Sequence, residues 1–389
     1  MTRADSWGTI RARERSPDRT VVYALPTEIV FGSGEVGTLG RRLAEMGLRR
    51  PLVVTDKGLR AAGIVDRVLD SLSGSGLRPA VFDDVLSDPT TSVVEEASDV
   101  LRRGDHDAVI GLGGGSPMDA AKAAGALRTN PGSAIDHVGR DRLEADPLPI
   151  VAVPTTAGTG SEVTMWSVLT DPESGNKVSI GSMRIMPRLA LLDPDLTLGL
   201  PPAITAATGM DALTHAMESY GSVWSHPIAE GLALHAVELI GGHLRRAVAD
   251  GTDREARAAM LMASLIAELA ANSTRLGLSH ALAVPLGARH HVPHGLANAI
   301  LLPHVVDFNA AADPDRYARM ASLLGPDGVG DAVNSLNRDI GIDERLSDWG
   351  VGEEDLPVLA QLALRSDNVQ ANPREAGETE LVAILRAAL

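Results

Sequence analysis

The chain of 389 residues contains no cysteine. Disulfides, thiolate metal sites and cysteine nucleophiles are therefore excluded, and a reducing, cytoplasmic setting fits. Aromatic residues are scarce, at 3%, which argues against a platform for stacking nucleic-acid bases. Positive charge is in deficit: 35 Lys and Arg against 51 Asp and Glu give a formal net charge of −16. That balance disfavours nucleic acid and anionic membrane as partners. The sequence has no uncharged apolar run of the length, about 18 residues, that a membrane-spanning helix needs. Residues 1–20 hold five Arg and three acidic residues without an apolar segment, so they are expected to be a mobile N-terminal tail rather than a secretory signal.

What is present is enough apolar material, 44% of residues, for about two domains. From 21 to 198 short β-branched runs alternate with amphipathic ones. Strands are expected at Leu52–Thr55, Ala80–Phe82, Ala108–Leu112 and Ile150–Val153. Helices are expected at Leu59–Leu72, at Ser92–Arg103 with Thr91 or Ser92 as cap, and at Pro117–Leu127. This alternation implies βαβ units and a parallel, Rossmann-like sheet whose ligands sit at the C-terminal strand ends. The prolines at Pro194 and Pro201–Pro202 mark a boundary, and 199–389 reads as an all-α domain with helices at Thr205–Tyr220, Pro227–Leu244, Arg254–Ala271 and Asp315–Leu324.

Two glycine motifs compete for a dinucleotide. Gly32-Ser33-Gly34-Glu35-Val36-Gly37 matches G-x-G-x-x-G literally, and Asp56 follows at about the ~20-residue spacing of the Rossmann fingerprint. Glu35, however, would point negative charge at a phosphate. Gly113-Gly114-Gly115-Ser116-Pro117 directly follows a strand and opens a helix. There, free N–H groups and the helix dipole favour an anion, and a ligand-free turn is the alternative. Asp56 ends a strand, where a carboxylate can accept from a ribose 2′-OH and repel a 2′-phosphate, or simply begin a loop. The hydroxyl- and glycine-rich run Pro154–Thr164 lies beyond another strand, and Lys177 reads as a solvated lysine in a polar turn.

The stretch Leu276–His304 carries five of the chain's eleven histidines, His280, His290, His291, His294 and His304, among apolar residues. Imidazoles in such surroundings need a partner. Upstream, Asp211 and His215 stand at i and i+4 and share a helix face. One Asp with His215, His280 and His294 makes an oxygen–nitrogen donor set, which suits Fe²⁺ or Zn²⁺ rather than Mg²⁺ or Ca²⁺.

These motifs resemble those of the iron-containing (group III) alcohol dehydrogenases, a family that includes lactaldehyde reductase and 1,3-propanediol dehydrogenase. The matching runs are Phe31-Gly32-x-Gly34, Thr55-Asp56-Lys57, Gly113–Pro117 with Asp119 and Lys122, Pro154–Thr164, Thr208–Glu218 and Pro293–Ala299. The resemblance implies a dehydroquinate synthase-like fold with an N-terminal nucleotide-binding domain, a C-terminal helical domain and an active site in the cleft between. It implies metal ligation by Asp211, His215, His280 and His294. It implies NAD selection by Asp56, pyrophosphate binding by Gly114, Gly115 and Ser116 in place of Gly32–Gly37, and cofactor contacts by Asp119, Thr155, Thr156, Thr159 and Lys177. It also implies a homodimer or higher homo-oligomer. Two positions depart from the family pattern. Val284 stands where a second histidine is common, four residues after His280, which makes His290 or His291 the candidates for its catalytic role. Asp88 stands where the family has Asn before Pro-Thr.

The expectation is therefore a metal-dependent, NAD(H)-linked alcohol dehydrogenase or aldehyde/ketone reductase, the metal acting as a Lewis acid on the substrate oxygen. The alternatives are a maleylacetate reductase-like enzyme that reduces an acidic keto substrate without metal, a dehydroquinate synthase-like lyase, and a non-enzymatic NAD-binding protein. Met165, Trp166 and Val284 are candidates for an apolar substrate pocket, and none of them specifies a molecule.

Overall fold

The computed structural model describes residues 20–389. The expected tail, 1–20, lies outside the described residues except for Thr20. Two compact units emerge: Leu25–Leu200 with Thr252–Leu261, and Pro201–Gly251 with Met262–Leu389 and 20–24.

The first unit is α/β. Its main sheet contains β1 (Glu28–Phe31), β2 (Pro51–Val54), β3 (Ala80–Phe82), β4 (Ala108–Gly113), β6 (Ile150–Pro154) and β9 (Leu189–Leu192), in the order β1-β9-β6-β4-β2-β3. Every pairing in it is parallel. A separate three-stranded sheet holds β5 (Gly139–Arg140), β7 (Trp166–Thr170) and β8 (Lys177–Gly181). Helices α1 (Leu39–Glu45), α2 (Lys57–Ala61), α3 (Ile64–Gly74), α4 (Thr91–Arg103) and α5 (Gly115–Leu127) belong to the same unit, as does the start of a long later helix up to Leu261.

The central strands are buried on both faces, as a helix-covered parallel sheet requires. Because side chains alternate, Leu52, Val54, Val109 and Ile150 join one core with α4 and α5. Val53, Ile110, Val151 and Leu191 join the other, with α1 and α3. The strand order reverses between β2 and β4, so the segments leaving these two adjacent strands flank a topological switch point.

Some local expectations needed correction. The single helix expected over Leu59–Leu72 is two, α2 and α3, because Gly63 adopts a left-handed φ of 73° between them. Helix α4 is capped one residue earlier than expected: Thr90 Oγ1 accepts from Val93 N. Lys177 is not a free turn residue, since it begins β8 and pairs with Asp88.

The second unit, among the described residues, is helical. It contains α6 (Pro202–Gly221), α7 (Pro227–Ala249), the portion of α8 (Arg254–Thr274) from Met262 on, α9 (Leu278–His290) and α10 (His294–Ala310). The helices α11 (Pro314–Leu324), α12 (Val329–Asp339) and α13 (Leu356–Ala363) follow, with short helices Asn368–Ala371 and Glu378–Ala387 closing the chain. Helix α6 is buried on all sides from Gly209 to Gly221, so any polar side chain there must find partners inside the protein.

Candidate active site

In the helical unit the sequence places Asp211, His215 and Glu218 on one face of α6, at i, i+4 and i+7. Helix α9 contributes His280, and the chain then turns back. The return passes Val292, whose carbonyl oxygen would lie 3.5 Å from a Cβ at Gly287, and delivers His294 as the first residue of α10. Gly295 lets α10 approach α6: a Cβ there would fall 2.4 Å from Ala207 O.

The outcome is convergence. Ligand atoms of Asp211, His215 and His280 lie within 4.8 Å of one another, and all three residues are buried. The rings of His215 and His280 stack at 4.6 Å with a 12° interplanar angle. His294 stands at their edge, half-exposed, its ring 5.3 Å from that of His280 and its Nε2 3.7 Å from Asp211 Oδ1. Asn298, one turn on in α10, donates from Nδ2 to Asp211 Oδ1 at 2.7 Å and faces Nε2 of His280 at 3.2 Å and of His294 at 3.4 Å.

Burial is the chief cause that pushes His215 down to about 4; Asp211 opposes it, and His280 and His294 reinforce it. Burial also works to raise the Asp211 carboxyl, but His294, His215, His280 and the Asn298 hydrogen bond outweigh it and hold the group below its ordinary value. A buried carboxylate facing imidazoles, one of them neutral at neutral pH, is incompletely compensated. A divalent cation is the group that fits this donor set, because it balances the carboxylate and uses the imidazole lone pairs.

The two expected catalytic histidines do not join this group. His290 lies ten residues, roughly 15 Å of helical rise, beyond His280 in α9, and its Nε2 is 3.9 Å from Asp355 Oδ2. His291 ends α9 in a left-handed conformation, φ 58°. No hydrogen bond or ion pair connects either ring to Asp211, His215 or His280. Val284, one turn after His280, is 44% exposed.

In the α/β unit, Asp56 and the Gly113–Ser116 turn follow the two strands that flank the switch point, and the loop after β6 packs against that turn. Asp56, just beyond β2, caps α2 by accepting from Leu59 N through Oδ1, which leaves Oδ2 for another donor. Gly113 leaves β4 with φ 147°, and the N-terminus of α5 carries no side-chain cap. Cβ atoms at Gly114 and Gly115 would lie 3.3 Å from Thr156 Oγ1 and 3.0 Å from Thr159 Cγ2. The glycines thus keep open a cradle between this turn and the loop after β6, where backbone N–H groups can receive a phosphate. Ser116 lies in the first turn of α5, and Thr155, which is buried, donates its N–H to Gly113 O.

Asp119 is held by the protein itself. Its carboxylate accepts from Ser161 Oγ at 2.6 Å and Val168 N at 2.9 Å, and it lies 3.5 Å from Lys122 Nζ. This ties α5 to β7. The rival glycine motif is occupied by the protein itself, because Gly34 N and Val36 N both donate to the Asp193 carboxylate.

Three residues that fall within the matching runs had no role assigned from the sequence. Glu218 and Asn298 surround the histidines, and Lys122 is fully buried among Ser161, Thr164 and Trp166 O. The signal for each was a charged or amide side chain in the middle of an apolar helix.

Sequence profiles described as "Iron-containing alcohol dehydrogenase" and "Fe-containing alcohol dehydrogenase family, C-terminal" match residues 26–194 and 205–389. The chain is 42% identical over 379 residues to the 1,3-propanediol dehydrogenase of Klebsiella pneumoniae, covering 94% of this chain and 98% of that one. A solved 1,3-propanediol oxidoreductase superposes with a TM-score of 0.93 at 42% identity, covering 95% of this chain and 100% of the other. The sulfoacetaldehyde reductase of Bifidobacterium kashiwanohense, solved in complex with NAD+, superposes with a TM-score of 0.89 at 35% identity, covering 95% and 99%.

Proposed function

The chain belongs to the iron-containing alcohol dehydrogenase family, and on that premise we propose that it is an NAD(H)-linked, metal-dependent dehydrogenase interconverting a small alcohol and its aldehyde or ketone. The observation that carries the reading is the buried convergence of Asp211, His215 and His280. When bound, Fe²⁺, or Zn²⁺ in its place, supplies Lewis-acid polarisation of the substrate oxygen, and NAD supplies the hydride acceptor. Asp211 contributes negative charge, while His215 and His280 contribute nitrogen donors, with His294 beside them as the fourth candidate ligand. Asn298 orients the Asp211 carboxylate through its 2.7 Å hydrogen bond. Gly114, Gly115 and Ser116 would hold the pyrophosphate at the start of α5, and Thr156 and Thr159 close the other side of that cradle. Asp56 Oδ2 would accept from the adenosine ribose, which favours NAD over NADP. Lys177, paired with Asp88, is the remaining candidate for a cofactor contact.

The relatives' small diol and aldehyde substrates make short-chain alcohols the first choice for a panel. We also infer a cytoplasmic homo-oligomer, from the resemblance and the lack of cysteine, and sedimentation with cell fractionation checks both. The metal-free reading finds no support, since a buried Asp–His–His group is costly to keep without a cation.

The test is an alcohol and aldehyde panel with NAD(H) and NADP(H) on protein of measured metal content. Asp211→Ala and His280→Ala are each expected to lose bound metal and to reduce kcat/KM by at least about 10²-fold, the order seen when one polarising group is removed. Full turnover in metal-stripped protein would overturn the reading.

A further inference from the structure

The metal reading leaves one buried group without a task. Glu218 lies in α6 one turn after His215, and its side chain is 3% exposed. No lysine or arginine among the described residues pairs with it; three N–H donors surround it instead. Gly277 N reaches Oε2 at 2.7 Å, Ser279 N reaches Oε1 at 2.7 Å, and His280 Nδ1 lies 2.7 Å from Oε2.

Two of these donors belong to the start of α9. That helix has no cap from its own N-terminal residue, so its first N–H groups need an outside acceptor. Glu218 fills that need from about sixty positions upstream, and the helix dipole favours its charge there. The third donor is the ring itself. A carboxylate at Nδ1 keeps the proton on that nitrogen, so the Nε2 lone pair points away from Glu218. On that side stand Asn298 Nδ2, a donor at 3.2 Å, and Asp211 Oδ1 at 3.7 Å. An amide donor at Nε2 fits the same tautomer. His215 has no equivalent, because its Nδ1 is 3.5 Å from Glu268 Oε2, too long for a hydrogen bond. Space for the arrangement comes from Gly277, where a Cβ would fall 2.9 Å from Glu218 Oε1.

We propose that Glu218 is a positioning residue: it caps α9 and locks His280 in the Nδ1-protonated tautomer, so that Nε2 is presented as a metal donor in register with Asp211 and His215. This rests on the metal reading above and adds to it the group that makes the His280 donor ready before the ion arrives. A carboxylate behind a ligating imidazole also raises its basicity, and loss of such a partner costs about 10–100-fold in metal affinity.

Glu218→Gln tests the idea. A carboxylate offers only acceptors, whereas a carboxamide must turn an NH₂ toward at least one of the three donors. The variant is expected to bind Fe²⁺ (anaerobically) and Zn²⁺ about 10–100-fold more weakly. The gap in Tm between metal-loaded and metal-free protein should narrow to match. A purely architectural Glu218 would lower the metal-free Tm and leave both affinities unchanged, and that result overturns the proposal. If the variant does not fold, the wild-type protein still decides. Histidine-selective ¹⁵N NMR of the metal-free chain at neutral pH, with His280 assigned by its loss in His280→Gln, should show Nδ1 protonated and Nε2 bare; the opposite tautomer overturns the proposal. Wild-type protein that retains neither ion refutes the metal centre itself, while the NMR spectrum still reports on the lock.

Discussion

At the scale of the residue, burial sets the chemistry. Glu162, in the loop after β6, is 1% exposed, and burial pushes its carboxyl up to about 7, while its own backbone N–H and Lys122 act to lower it. The folded value exceeds the unfolded value of 4.5, so between these two the folded chain holds the proton more tightly. Stability contributed by the neutral form is present at low pH and is lost as pH rises from about 4.5 to about 7. Glu162→Gln keeps an acceptor and removes the titration. Its Tm is expected to fall less than that of wild type over this range, with a difference of up to ~3 kcal/mol at pH 8, measurable by thermal melts at several pH values. The neighbouring Lys122 is fully buried against Ser161, Thr164 and Trp166 O. Lys122→Met strands these acceptors and part of the Asp119 charge, and urea unfolding should show a loss of about 3 kcal/mol.

At the scale of the element, contact distances decide which glycines matter. Gly295 sits where α10 crosses α6, and a Cβ there meets Ala207 O at 2.4 Å and the Asp211 Cβ at 3.5 Å. Gly295→Ala must push the helices apart, and with them His294 from Asp211. Destabilisation of about 1–3 kcal/mol is expected together with poorer metal retention, read by Tm and metal content. Gly287→Ala in α9 is the contrast. Its Cβ would make only an ordinary 3.5 Å contact, so the change should be neutral or stabilising by up to about 1 kcal/mol. The turn at Gly34–Val36 teaches the same lesson about anions: its N–H groups are satisfied by Asp193, whereas the N-terminus of α5 has no side-chain cap.

At the scale of the whole molecule, the proposed metal ligands all belong to the helical unit, while Asp56 and the Gly113–Ser116 turn belong to the α/β unit. The two ligands should therefore protect different segments. Adding Zn²⁺ or Fe²⁺ to stripped protein is expected to slow amide exchange in α6, α9 and α10, and adding NAD to slow it around Gly113–Asp119 and Thr155–Ser161. A ligand at 100 times its dissociation constant stabilises by about 2.7 kcal/mol, enough to see in a thermal melt. Hydrogen-exchange mass spectrometry with each ligand alone checks the assignment, and metal protection confined to the α/β unit would refute it.

The sequence by itself determined the α/β-then-α order, the helix face shared by Asp211 and His215, and the glycine turn after a buried strand. Each follows from a local period or a short motif, and local rules need no neighbours. Only the tertiary structure decided which polar groups meet. His280 and His294 are brought to Asp211 by the fold of α9 back onto α10, whereas His290 and His291, in the same stretch, are not part of that group. Asp119, expected at the cofactor, also ties α5 to β7, because that strand brings Val168 N to its carboxylate. Glu218 and Asn298 gave no local signal beyond being polar in apolar helices. Their roles exist only because burial obliges each to find a partner across some sixty to ninety residues of chain. The histidine-rich stretch supplied the donors, and packing chose among them.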